Sequence, residues 1–102
     1  MTNYYLGADV SKGYSDFMFL DAKKRRIEED FQLDDTFDGH QKLYYILSAL
    51  CDQHPNAQIY AAVESTGGYE NNWFDALAKF QSSLPLKTAR LNPCGVHNNS
   101  KA

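Results

Sequence analysis

The chain has 102 residues and a formal net charge of −3, enough for one compact domain and too acidic for one that grips nucleic acid by bulk positive charge. Hydrophobic residues make up 43%, charged residues 23% and aromatic residues 14%, a composition that excludes a disordered chain and can build a core. An approach to phosphate groups through metal ions is still open to it.

Residues 1–93 read as one domain and residues 94–102 as a polar tail. No apolar stretch approaches the roughly 20 residues that span a bilayer, and Met-Thr-Asn-Tyr-Tyr lacks the basic-then-apolar order of a signal peptide. Cys51 and Cys94 are not in a metal-type spacing. Two reduced thiols in a soluble, cytoplasmic protein are the expectation.

Residues 4 to 10, Tyr-Tyr-Leu-Gly-Ala-Asp-Val, predict a central strand. Ser11-Lys12-Gly13 is a hairpin loop with glycine at a suitable position. Residues 14 to 21, with Phe17, Met18, Phe19 and Leu20, predict a second strand, and Lys23 to Arg26 a polar turn. From 27 to 33 the pattern alternates, with Ile27, Glu29, Phe31 and Leu33 on one face, which predicts a half-exposed edge strand.

The period then changes. Asp38 can cap a helix, with Gln41 three residues on as in a capping box. Leu43, Tyr44, Leu47, Leu50 and Cys51 follow at helical spacing, and the helix stops near His54-Pro55-Asn56. Residues 58 to 63 predict a fourth strand buried on both faces. Ser65-Thr66-Gly67-Gly68 turns into a second helix carrying Tyr69, Trp73, Leu77 and Phe80, and residues 86 to 91 predict a fifth strand.

The order is therefore β-β-β-α-β-α-β. Right-handed crossovers give a mixed five-stranded α/β sheet of order 3-2-1-4-5, with the fourth strand parallel to the first. The chain leaves these two strands toward opposite edges, so their carboxyl ends flank a topological switch point, where such sheets bind ligands. Asp9 ends the first strand and Glu64 follows the fourth. Glu64 alone reads better as a strand end meeting water. With Asp9 about one strand spacing away, the pair reads better as a site for a hard divalent cation, Mg²⁺ or Mn²⁺.

"LGADVSKGYSDFMFLD", "AAVESTGGYENNWFDAL" and "LNP", in this order and at these separations, resemble the motifs of DEDD-type insertion-sequence transposases and the related pilin-gene-inverting recombinases. The resemblance implies an N-terminal ribonuclease-H-like domain similar to the Holliday-junction resolvase RuvC. It also implies divalent metal, DNA as partner, an element-encoded guide RNA and a homo-oligomer when intact. On it, Asp9 and Glu64 match the first two of four catalytic, metal-binding acids. The last two lie beyond the Asn-Pro landmark, and no acid follows Asp75 in this sequence. A fragment that is catalytically inactive by itself is the expectation.

Lys12 can meet a phosphate, although a hairpin lysine is more often only solvated. Ser65 and Thr66 can cap the second helix through their hydroxyls, and the same turn can offer backbone N–H groups to a phosphate. Two other functions fit the chain. One is a folded remnant or dimerising module that does not respond to metal. The other is the N-terminal lobe of an actin-like ATPase or sugar kinase, which begins with the same meander and an early Asp.

Overall fold

In a computed structural model, which describes residues 2–64 and 67–91, the elements are β1 (Thr2–Ser11), β2 (Tyr14–Leu20), β3 (Phe31–Asp34), α1 (Phe37–Gln53), β4 (Ala57–Glu64), α2 (Asn71–Phe80) and β5 (Leu86–Leu91). They form one sheet of order β3-β2-β1-β4-β5. β1 runs parallel to β4, and β4 to β5; β1 is antiparallel to β2, and β2 to β3. This is the ribonuclease-H-like order read from the sequence.

β1 forms because its side chains alternate. Tyr4, Leu6, Ala8 and Val10 are buried on one face, while Tyr5, Gly7 and Asp9 lie exposed on the other. A two-residue turn, Lys12–Gly13, with Gly13 at a φ of 86° that favours glycine, returns the chain into β2. Both helices cover the Leu6 side of the sheet. There Leu43, Leu47 and Leu50 of α1 and Trp73 and Leu77 of α2 join Phe17, Phe19, Ile59 and Val63 in a single core. Trp73 is fully buried, with its ring edge-on to Phe17 at 5.1 Å.

Three local expectations need correction. The edge strand begins at Phe31, not at residue 27. Asp21 gathers the backbone N–H groups of Arg25 and Lys23 onto one carboxylate oxygen. The Arg25 N–H above all holds that carboxyl below its usual range. Lys24 takes a φ of 65°, so the chain curls through this segment, and Glu29 shares no buried face with Phe31.

The cap of α1 is Thr36, not Asp38. Thr36 Oγ1 accepts from the Gly39 N–H at 3.0 Å, an arrangement that contributes about 1 kcal/mol, and Asp38 stands in the first turn, where a negative charge suits the helix dipole.

The third correction concerns β4, which is buried on one face only. Ala57, Ile59, Ala61 and Val63 are in the core, whereas Gln58, Tyr60 and Ala62 are half-exposed and Glu64 is exposed. With both helices on one side, the opposite side of the sheet is open.

Smaller points bear on the cysteines and the second helix. Burial pushes the Cys51 thiol up, with Asp52 adding to the effect, so Cys51 is a packing residue and not a reactive one. Cys94 and the Asn92–Pro93 landmark lie outside the described residues. α2 starts after Glu70, which makes no side-chain cap, and Tyr69 stands in the preceding turn, exposed. No helix among the described residues is long and apolar enough to cross a membrane.

Candidate functional site: a carboxylate row at the switch point

The strand registers decide what meets at the carboxyl end of β1. Across the parallel pair, Asp9 stands opposite Glu64; across the hairpin, it stands opposite Asp16. Asp16 in turn stands opposite Gln32 of β3. One transverse row on the open face therefore reads Gln32, Asp16, Asp9, Glu64, with neighbours about 4.8 Å apart. The row borders a groove of about 520 Å³, also lined by Gly7, Met18 and Ala62.

Beneath the row, Ser15 is fully buried. Its hydroxyl lies 3.3 Å from the carbonyl oxygens of both Asp9 and Asp16, so one hydrogen is shared between the two and ties the backbones of adjacent strands together. At the β3 edge, Gln32 Nε2 donates to Asp16 Oδ1 at 2.9 Å, which fixes that carboxylate. Asp9 and Glu64, by contrast, are exposed and keep their oxygens available.

The donor set can be judged from these facts. Among the described residues, no group of three or more His, Cys, Asp or Glu side chains is arranged to hold a metal ion. Two exposed carboxylates on adjacent strands nevertheless match how Mg²⁺ is usually held, by one or two carboxylates with water and substrate phosphates completing the shell. The residues fit such an ion as part of a shared site and do not enclose it.

Asp9 and Glu64 are thus brought together. Lys12 sits exposed at the hairpin tip, at the same end of β1 as the row. Ser65 and Thr66 lie outside the described residues. Asp16 is the residue that sequence reasoning missed. Its signal was present: a two-residue turn at 12–13 pairs Ser11 with Tyr14 and hence Asp9 with Asp16.

The fold and this row define an α/β sheet of ribonuclease-H-like order with paired carboxylates at its switch point. Comparison with solved structures finds similarity to an exopolyphosphatase from Cytophaga hutchinsonii, at 7% identity and a TM-score of 0.49, covering 89% of this chain and 35% of that one. It also finds similarity to the PPX-GPPA enzyme of Aquifex aeolicus, at 11% identity and a TM-score of 0.48, covering 91% and 37%. The chain thus spans about a third of the length of each. At this level of similarity neither match carries an argument about activity. No family model matches the chain, and no curated protein does.

These findings correct one expectation. The solved structures found are an exopolyphosphatase and a PPX-GPPA enzyme, neither of them a transposase, and no family model or curated protein connects the chain with transposition or DNA recombination. That assignment is withdrawn.

Proposed function

We propose that the chain is the site-bearing lobe of an enzyme that acts on a phosphate group with the help of a divalent cation, of the actin-like ATPase or sugar-kinase type weighed above. The observation that carries this reading is the register of β1 against β4, which sets Asp9 beside Glu64 at the switch point. In this role Asp9 and Glu64 would hold a hydrated Mg²⁺ or Mn²⁺, with phosphate oxygens of the substrate as further ligands. The cation, when bound, supplies charge neutralisation and polarisation of the phosphoryl group.

The remaining residues orient. The exposed Lys12 at the hairpin tip gives a cation at the end of the sheet where a phosphate would lie. Asp16, fixed by Gln32, accepts hydrogen bonds from water around the row. The lobe supplies no complete ligand shell, so turnover by this chain alone is not expected.

The test is thermal unfolding with Mn²⁺, with and without ATP or pyrophosphate. For a Kd of about 1 mM, Mn²⁺ at about 10 mM adds about 1.4 kcal/mol, a rise in Tm of several degrees for a domain of this size. Asp9→Asn and Glu64→Gln are each expected to abolish the rise while leaving the metal-free Tm within about 2 °C of wild type, as exposed substitutions do. A wild-type chain whose Tm ignores Mn²⁺ in every mixture would refute the reading and favour a folded module without metal chemistry.

A further inference from the structure

We infer that the groove between α1 and α2 is a face on which two copies of this chain meet around a two-fold axis. It lies on the helical side of the molecule, away from the carboxylate row, and the inference does not depend on the phosphate reading.

The groove has a volume of about 520 Å³. Aromatic rings form much of it. Tyr44 packs edge-on against Phe80 at 5.0 Å and against Tyr45 at 6.3 Å. At its rim Phe37 is 79% exposed and Tyr45 61% exposed. Large apolar side chains held this far into water, beside a concave surface of matching chemistry, mark an interaction site more often than chance placement. Aromatic anchors of this kind dominate the energy of protein interfaces.

Charge selects the occupant. Asp75 and Lys79 line the groove one helical turn apart on α2, both exposed. An Asp–Lys pair at this spacing can close on itself, yet neither makes an ion pair among the described residues. Now let α2 run antiparallel to its own copy, with the two-fold axis level with residue 77, midway between the two charges. Asp75 then faces the partner subunit's Lys79, and Lys79 faces the partner subunit's Asp75. The face is therefore its own complement, as a two-fold interface requires. Phe37 and Tyr45 of each copy flank the crossing and lose their exposure.

Each side offers roughly ten residues, fewer than the 20–30 of a standard interface, so the dimer is expected to be transient, with a Kd of roughly micromolar order. Sedimentation velocity across about 5 to 500 µM, spanning that Kd, tests it. The wild type is expected to shift from monomer to dimer over this range. Asp75→Lys and Lys79→Asp, each alone, place like charges across the axis and are expected to stay monomeric, with unchanged far-ultraviolet circular dichroism. Mixed in equal amounts, the two variants restore both pairs and are expected to form a heterodimer. A wild type that stays monomeric throughout would overturn the inference. So would single variants that dimerise as well as wild type, or a mixture that does not associate.

Discussion

Replacing Trp73 by alanine is expected to cost about 3–5 kcal/mol, the range for emptying a buried aromatic site. Total stabilities are about 5–15 kcal/mol, so this variant will be partly unfolded at moderate temperature or require low urea to stay folded. The size of the effect follows from position. Trp73 is fully buried, edge-on to Phe17 and 4.5 Å from the His40 ring. It fills the space where α2 meets both α1 and the sheet. Phenylalanine should behave very differently. The indole Nε1 is buried and has no hydrogen-bond partner among the described residues, so Trp73→Phe removes a desolvated donor that costs about 1–3 kcal/mol while keeping much of the ring. The net loss should stay below about 1.5 kcal/mol, as in other near-isosteric exchanges. Urea titration followed by circular dichroism measures both. A Trp73→Phe loss well above about 1.5 kcal/mol would show that the N–H is hydrogen-bonded in the folded chain.

The second large effect is expected at Gly39, in the first turn of α1. A Cβ built there would overlap the carbonyl oxygen of Asp34 and stand 2.9 Å from its carbonyl carbon. Both neighbours are backbone, and neither can rotate away. Alanine would gain about 1 kcal/mol in helix propensity, yet α1 would have to lift from the end of β3. Gly39→Ala is therefore expected to destabilise by about 2–3 kcal/mol, toward the upper end of overpacking costs. Gly7 is the internal control. It lies on the open sheet face with nothing within 4 Å of its would-be Cβ, so Gly7→Ala should be neutral within about 0.5 kcal/mol. Guanidinium unfolding of the two variants side by side decides the matter. A neutral Gly39→Ala would mean that the helix start and β3 are not in close contact.

The sheet was legible because its strands announce themselves by alternation and by turns, and because crossover handedness leaves few ways to connect them. β5 falls on the predicted residues, and the Lys12–Gly13 turn fixes the β1–β2 register outright. Where the reading failed, another contact had overridden the local pattern. Residues 27–30 alternate like a strand, but Asp21 curls the preceding turn by accepting from the Lys23 and Arg25 N–H groups, and Arg26 Nε donates to Asp30 Oδ1 at 3.0 Å. Asp38 heads a capping-box pattern, yet Thr36 takes the cap because the chain turns into α1 two residues earlier. β4 reads as an apolar run through Ala61, Ala62 and Val63, and such runs suit burial on two sides. Only the placement of both helices on one side exposes Ala62 and Tyr60, and no local pattern encodes that. In the site, the facing of Asp9 and Glu64 followed from strand order. Asp16 required counting back from the hairpin, and the family assignment rested on short motifs that the comparisons did not uphold.

The two neighbours of β1 come from very different distances along the chain. β2 returns after two residues, whereas β4 arrives only after α1, so its pairing closes a long loop and carries the larger entropic penalty. Non-local pairings of this kind are the slow part of assembly. Asp9 and Glu64 thus become adjacent only when that pairing is complete, and a cation bridging them would latch the finished sheet, slowing its opening while leaving the rate of assembly nearly unchanged. Stopped-flow refolding and unfolding with and without Mn²⁺ would separate the two limbs.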